Sequence, residues 1–185
     1  LNVTPEKPII NSPYIASTTK LKNKWKALLK QEEKPVVGIH WQGNPRQEKN
    51  MIYKRSIPLD LFKVIVKKND IKLLSLQKGD GSEQINTCSF KEHFVGCQTT
   101  INQIWDFAET AAIVSNCDLV ITSDSALAHL SGGAGQKTWL LLKDVPDWRW
   151  GMDSEETFWY PSMRLFRQKS IGDWEEVLER VANEL

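Results

Sequence analysis

The chain has 185 residues, with 41% hydrophobic residues, 25% charged residues and a formal net charge of +1 at pH 7. This is the composition of one soluble globular domain with a sizeable core. A net charge this close to zero removes the electrostatic basis for general binding to nucleic acid or to a membrane surface. No apolar run approaches the ~18 residues of a membrane span, so we also expect no membrane-spanning segment.

The cysteines favour a reducing, cytoplasmic location. There are three of them, at Cys88, Cys97 and Cys117, and they are widely spaced and form no CxxC motif. An odd, scattered set of this kind argues against a disulfide framework and against structural zinc.

The first 34 residues differ in character from the rest of the chain. Leu1–Ser12 holds two of the eight prolines, with a third directly after it at Pro13, and is typical of a linker or an extended arm. Ser17 or Thr18 is a suitable cap for an amphipathic helix that runs to about Gln31. We therefore divide the chain into a linker with an amphipathic helix, residues 1–34, and one domain, residues 35–185. The helix has a lysine-rich face, which we interpret as a solvated surface; the alternative is a binding patch.

A βαβ unit opens the domain. Val36–Trp41 is an apolar run of strand length, Pro58 begins a helix that runs to about Lys68, and Ile71–Gln77 is a second strand. This order predicts parallel strands joined by a right-handed crossover. The later apolar runs extend the pattern, so the fold class is α/β, a Rossmann-like three-layer α/β/α arrangement around a mostly parallel sheet.

A basic loop joins the first strand to its helix. It runs from Asn44 to Arg55 and carries the cations Arg46, Lys49, Lys54 and Arg55. Such a loop lies at the carboxyl end of a strand, where four cations suit a diphosphate; the alternative is a merely solvated charged loop. Glu83 follows the second strand at the same edge and is a candidate contact for a ribose or a base, although a solvated glutamate explains it as well.

The stretch from Leu119 to Gly135 predicts a buried strand, a tight turn and a short helix. The helix amino terminus directs unpaired N–H groups and a positive dipole end towards a bound anion. Asp124 and Ser125 are suitable capping residues. His129 lies four residues after Ser125, which predicts that the two side chains share one helical face. The alternative is that Asp124 only caps the helix and that His129 is an ordinary satisfied polar residue.

Further elements precede and follow this turn. Ile101–Ser115 has the periodicity of one helix, with a short strand expected near Phe94–Val95 before it. Lys137–Leu142 and Met163–Phe166 are predicted strands. Asp173 and Glu176 form a capping box for a final helix whose buried stripe ends at Leu185. Three tryptophans, Trp148, Trp150 and Trp159, suggest either a carbohydrate-stacking patch or core cover.

The segment Asp124-Ser125-Ala126-Leu127-Ala128-His129 resembles the turn of the glycosyltransferase family that includes the lipopolysaccharide heptosyltransferases, which carries Asp-Ser/Thr-Gly-x-x-His there. The resemblance covers roughly residues 35–180. With SLQKG, VPDWRW, YPSMRLFRQ and GDWEEV, the chain is similar to the carboxyl-terminal glycosyltransferase-like domain of tetratricopeptide-repeat proteins. A weaker similarity connects it to the O-linked N-acetylglucosamine transferases.

The resemblance implies the carboxyl-terminal half of a GT-B fold, which binds a nucleotide diphosphate sugar as donor substrate and needs no metal or other cofactor. By analogy, the donor would meet nine residues: Gly43, Asn44, Lys54, Arg55, Glu83, Asp124, Ser125, Ala126 and His129. The reaction would transfer the sugar to a hydroxyl of a glycan, lipid-linked or protein acceptor. The absence of metal-ligand spacing among the three histidines agrees with a metal-free site.

The chain also departs from the family. Ala126 stands where the family has glycine, and the Cβ narrows the closest approach of a phosphate; Lys137 stands where a proline is usual. The family's acceptor site and catalytic carboxylate lie in an amino-terminal half, which the ~35 residues before the first strand are too short to form. We therefore expect a fragment that works with a missing amino-terminal domain or with tetratricopeptide repeats, and we assign no catalytic residue.

There are two rival functions, and the departures from the family favour the first. One is a non-catalytic protein- or glycan-binding module derived from a glycosyltransferase. The other is a Rossmann dehydrogenase, which the sequence disfavours because no GxGxxG follows Val36–Trp41.

Overall fold

A computed structural model of the protein describes residues 12–49 and 54–185. Most of the predicted arm at Leu1–Ser12, and residues 50–53 of the predicted basic loop, lie outside this described part.

Five parallel strands form one sheet. They are β1 (Val36–His40), β2 (Lys72–Ser75), β3 (Leu119–Ser123), β4 (Thr138–Leu142) and β5 (Met163–Arg167), in the spatial order β2-β1-β3-β4-β5. Each neighbouring pair is parallel, as the alternation of strands and helices predicted. The prediction of a Rossmann-like α/β fold is therefore confirmed, and the four pairs of neighbouring strands are all parallel.

Seven α-helices accompany the sheet in the described part of the chain. Their bounds are α1 (Thr19–Leu29), α2 (Pro45–Glu48), α3 (Lys63–Lys68), α4 (Gln98–Asn102), α5 (Phe107–Val114), α6 (Ala126–Gly133) and α7 (Trp174–Glu184), with short 3-10 turns at Leu59–Phe62, Ser82–Asn86, Lys91–His93 and Trp148–Trp150.

The helices cover both faces of the sheet because side chains alternate along each strand. Val37 and Ile39 pack in one apolar cluster with residues of α3 and α7. Val36 and Val120 pack in another cluster with residues of α1, α4 and α5. Burial of both faces explains why the strands are near-continuous apolar runs.

The helix predicted at Ile101–Ser115 is wrong as a single element. α4 ends at Asn102 and α5 begins at Phe107. Asp106 lies between them in an extended conformation, and its carboxylate accepts a hydrogen bond from the backbone N–H of Glu109 at 2.7 Å. This side-chain cap begins a new helix, and the apolar periodicity across the break comes from both helices facing the same core.

The predicted helix ends are mostly correct. Thr18 caps α1 and Asp173 caps α7. The predicted capping box is half formed, because the Glu176 carboxylate pairs with Arg180 instead of returning to the cap. Leu185 lies outside the buried stripe of α7 and is exposed.

Candidate functional site

A cavity of about 510 Å³ lies at the carboxyl edge of the sheet. The chain passes from β1 outward to β2 and then returns to place β3 on the other side of β1. In open α/β sheets this change of direction leaves a crevice at which ligands bind. Residues that follow β1, β2 and β3 line the cavity, together with the segment that joins α4 to α5. We call it the main cavity.

The amino terminus of α6 faces the main cavity. Ser125 and Ala126, both predicted to meet the donor, line it. Ser125 occupies the N-cap position, yet its hydroxyl makes no capping hydrogen bond. It lies 3.4 Å from Nδ1 of His40 instead. The first turn of α6 therefore keeps backbone N–H groups for an anionic ligand.

Arg55 is the cation that the loop after β1 delivers to the cavity. Its Nε donates to Oε1 of Glu48 at 3.2 Å, and the Glu48 side chain is buried. Gly43 makes room for this pair, since a Cβ there would lie 2.5 Å from Arg55 Nε. The Gly43 N–H donates to Oγ of Ser56 at 3.0 Å, which ties the two ends of the loop together. Arg55 is thus oriented before any ligand arrives.

Asn44 also lines the main cavity, and its side chain has a structural task. The Asn44 Oδ1 accepts a hydrogen bond from the N–H of Arg46 at 2.9 Å and caps the short helix α2. Part of the predicted loop is therefore helical.

Asp124 lies beside the main cavity. It lines a second cavity of about 220 Å³, together with Arg55, Lys143 and Asp147. Arg55 therefore borders both cavities. Asp124 and Arg55, which belong to the turn after β3 and the loop after β1, thus line one cavity.

His129 does not line either of these cavities. Its ring stacks on Trp150 with centroids 5.3 Å apart, and Nδ1 lies 2.9 Å from the hydroxyl oxygen of Tyr160. Burial lowers the pKa of His129 from its ordinary value, and the Asp124 charge opposes this effect. The predicted shared face with Ser125 does not form, because Ser125 is extended at φ −155° and precedes the helix.

Lys54 and Glu83 are exposed and line neither cavity. Their predicted contacts with a phosphate and a ribose stay predictions. The structure brings Gly43, Asn44, Arg55, Ser125 and Ala126 to the main cavity, with Asp124 adjacent.

Sequence reasoning missed His40, which ends β1 and lines the main cavity. Its Nδ1 also lies 3.4 Å from Oγ of Ser123. Burial, and secondarily the Arg55 charge, lowers the pKa of His40 to about 4, so the imidazole is neutral at pH 7. Its position at the carboxyl end of a predicted strand was a usable signal.

Sequence reasoning also missed Lys78, although it too follows a predicted strand. It follows β2, lines the main cavity and donates a hydrogen bond from Nζ to the carbonyl oxygen of Ile101. Burial lowers the pKa of Lys78 to about 8, so it carries its charge through most of the neutral range.

The Gln77 side chain links the backbone segments that follow β1 and β2. The Gln77 amide oxygen accepts hydrogen bonds from the N–H groups of Trp41 and Gln42, at 3.3 and 3.0 Å. Its amide nitrogen donates to the carbonyl oxygens of Gln42 and Asp80. This network fixes the backbone at the ends of both strands.

The rim of the main cavity carries two exposed aromatic side chains. Trp105 is 73% exposed, Phe107 is 63% exposed, and both line the cavity. Asp106 lies between them and caps α5. Large apolar rings in contact with solvent at a cavity mouth suit a flat or apolar part of a ligand.

No protein-family model matches the chain. The architecture is that of a Rossmann-like α/β domain, and solved structures with this fold include glycosyltransferases. The ADP-heptose lipopolysaccharide heptosyltransferase II of E. coli matches 96% of this chain and 53% of its own length, with a TM-score of 0.63 and 13% identity. A glycosyl transferase family 9 protein from Veillonella parvula matches 83% of this chain and 42% of its own, with a TM-score of 0.57 and 11% identity.

Among curated proteins, protein FlbA of Caulobacter vibrioides is 29% identical over 171 residues. The match covers 87% of this chain and 27% of FlbA. The chain therefore spans about a quarter of that relative and about half of the two structural neighbours. At these identities, the structural likeness shows a shared fold.

Two features are absent from the described residues. No helix there is long and apolar enough to cross a membrane. No group of three or more histidine, cysteine, aspartate or glutamate side chains in residues 12–49 and 54–185 is arranged to hold a metal ion.

Proposed function

We propose that this chain is the donor-binding domain of a glycosyltransferase, which binds a nucleotide diphosphate sugar in the main cavity. The observation that carries the proposal is the main cavity itself, where the α6 amino terminus and Arg55 face the crevice between β1 and β3. Backbone N–H groups with a helix dipole and a guanidinium are complementary to a diphosphate. The fold shared with two glycosyltransferases supports the same ligand class.

The chemical role of the domain follows from charge. When the sugar leaves, the diphosphate gains negative charge. The α6 amino terminus, Arg55 and Lys78 are positioned to stabilise that charge more strongly in the transition state than in the ground state. Asp80 and Asp106, which also line the cavity, suit the hydroxyl groups of a ribose or sugar. No residue of this chain is assigned as the catalytic base.

The acceptor and the complete enzyme belong to the same proposal. The acceptor is a glycan, lipid-linked or protein hydroxyl, and its site is expected in an amino-terminal half or a neighbouring domain of a tetratricopeptide-repeat protein. The coverage of about half of each structural neighbour supports a two-part arrangement. A cytoplasmic location is also proposed, since Cys88, Cys97 and Cys117 are all free thiols.

Isothermal titration calorimetry with UDP-glucose, GDP-glucose and ADP-glucose tests the ligand class. We expect one of them to bind, and the substitution Arg55→Gln to weaken binding by tenfold or more, since a hydrogen bond to a charged group contributes about 1.5–3 kcal/mol. Arg46→Gln is the matched control, because Arg46 is exposed on the same loop and lines neither cavity. Absence of binding by all three at millimolar concentration would overturn the proposal.

A second candidate function is a glycan-binding or protein-binding module. The observation that favours it is an exposed aromatic surface in the β4–β5 connection, formed by Trp148, Phe158 and Trp159. Trp148 is 74% exposed and meets Trp159 edge to face. Trp150 is 3% exposed and belongs to the core instead. Glycan-array binding without nucleotide, lost in Trp148→Ala, would support this function over the first.

A further inference from the structure

His40 lines the main cavity, and its imidazole ring has only long hydrogen-bond contacts with the described residues. It ends strand β1, which lies between β2 and β3, and its Nδ1 faces the hydroxyls of Ser123 and Ser125, each at 3.4 Å. Both distances are long for hydrogen bonds to a ring nitrogen. In the described part of the chain, the side-chain hydrogen-bond contacts of His40 both involve Nδ1, and none involves Nε2. The ring is thus held near the α6 amino terminus with unused hydrogen-bonding capacity.

The charges around His40 come from several elements. The loop after β1 contributes Arg55, which is paired with Glu48. Lys78 and Asp80 follow β2. Asp106 precedes α5, and Asp124 follows β3. Of these, the Arg55 charge lowers the pKa of His40, in addition to the larger effect of burial. The ligand-free cavity therefore contains an imidazole kept neutral by its surroundings.

We infer that His40 contacts the diphosphate of the donor and takes up a proton from solvent as the anion binds. The inference rests on the proposed function and adds a residue and a proton to it. A diphosphate between the α6 amino terminus and Arg55 brings its oxygens into the same cavity that His40 lines. An imidazolium donates from both ring nitrogens, so one N–H serves the Ser hydroxyls and the other serves a phosphate oxygen.

The direction of the effect follows from linkage. Burial and the Arg55 charge hold the pKa of free His40 at about 4. A bound anion adds an opposite charge within contact distance, which raises the pKa of the imidazole, and it also neutralises the Arg55 charge. Affinity therefore rises as pH falls below the pKa of the bound state, and it levels off below the pKa of the free state.

The experiment measures affinity between pH 7.0 and 5.5 by calorimetry, with the nucleoside diphosphate sugar that binds best. A sugar-linked diphosphate has no phosphate group that titrates in this range, whereas a phosphate monoester titrates near pH 6. If the bound His40 returns to an ordinary pKa of about 6.5, affinity should rise roughly eightfold over this interval. Titrations in two buffers of different ionisation enthalpy count the protons taken up.

Variants assign the proton to its residue. His40→Gln and His40→Asn keep a hydrogen-bond donor and cannot titrate, so the affinity of each should become independent of pH. His93→Gln is the matched control, because His93 lies in the 3-10 turn Lys91–His93 and lines neither cavity, and it should keep the full pH dependence. His129→Gln separates the third histidine and should also keep it. Thermal unfolding first establishes that each variant is folded.

The outcomes are distinct. A nucleotide sugar that binds with no pH dependence and no proton uptake would overturn the inference and leave the proposed function intact. The same is true if His40→Gln keeps the pH dependence, or if His129→Gln abolishes it. Failure of every nucleotide sugar to bind would remove both. If His40→Gln and His40→Asn both fail to fold, the proton count for the unaltered protein still decides whether uptake occurs.

Discussion

At the scale of single residues, His40 also affects the stability of the ligand-free fold. An imidazole with a pKa of about 4 in the folded state and 6.5 when unfolded binds protons more readily after unfolding. The unfolded state then gains protons as pH falls from 6.5 to 4. Protonation of His40 in the unfolded state therefore lowers the stability of the folded state as pH falls through this range.

We predict that the free energy of unfolding falls by about 3 kcal/mol more in the unaltered protein than in His40→Gln between pH 7 and pH 4. Urea unfolding at several pH values measures the difference, and subtracting the variant removes the contribution of the carboxylates that both proteins share. His93→Gln should behave like the unaltered protein. Parallel pH profiles for the unaltered protein and His40→Gln would contradict the prediction.

At the scale of elements, the carboxyl end of α6 shows why this helix ends in glycines. A Cβ on Gly132 would lie 2.5 Å from Cγ of the Tyr160 ring. The carbonyl oxygen of Gly133 accepts hydrogen bonds from the N–H groups of Tyr14 and Ile15, each at 2.9 Å. Gly135 has φ +71° and lies against Pro13. The glycines thus let Tyr160 and the segment 13–15 pack directly against the helix end.

Gly132→Ala should destabilise the protein by about 1–3 kcal/mol, because the added methyl group meets a rigid ring in a packed region. For a domain of this size, that change lowers the melting temperature by roughly 2–4 °C per kcal/mol. Thermal unfolding followed by circular dichroism measures it.

Gly96→Ala is the control for this change. The nearest atom to a Cβ there is 3.7 Å away, so the melting temperature should stay within a degree or so. Equal melting temperatures for the two variants would show that the α6 end is not tightly packed.

At the scale of the whole molecule, α1 is integrated into the core. Trp25 is fully buried, and its indole N–H donates to Oε1 of Glu109 on α5 at 3.0 Å. Lys24 forms an ion pair with the same carboxylate. The boundary predicted between residues 34 and 35 therefore separates parts of the chain that share one apolar cluster.

Trp25→Ala should cost about 3–5 kcal/mol of stability, as expected for the truncation of a fully buried tryptophan. Residues 35–185 expressed alone should be destabilised at least as much. Trp105→Ala is the matched control, since Trp105 is largely exposed, and its stability should change little. Urea unfolding compares the variants, and a stable, cooperative fragment 35–185 would contradict the prediction.

The sequence predicted the framework of this molecule better than its site. Apolar runs located all five strands because a sheet covered on both faces needs continuous apolar segments. The rule that loops at strand carboxyl ends bind ligands selected Arg55 and Ser125, which line the main cavity, whereas Gly43, which also lines it, came from the family resemblance. The prediction that Ser125 and His129 share one helical face was wrong, because Ser125 is not helical. Helical spacing also failed at Asp106, where a cap interrupts an unbroken apolar pattern.

The environment of His40, unlike its position at a strand end, illustrates what sequence reasoning could not supply. Its neighbours along the chain are apolar strand residues, so local pattern marks it as part of a buried strand. Its environment is made by Ser123 and Ser125, more than 80 positions later. Only the pairing of β1 with β3 reveals that these groups meet.

The strand order has a consequence for how the protein emerges from the ribosome. β1 has β3 as one of its neighbours, yet the two are roughly 80 residues apart along the chain. Until β3 has been synthesised, one side of the apolar strand β1 lacks its partner, and such open edges invite pairing with other chains. A truncated or stalled product that ends before β3 should therefore depend on chaperones, whereas one that extends through β5 should not.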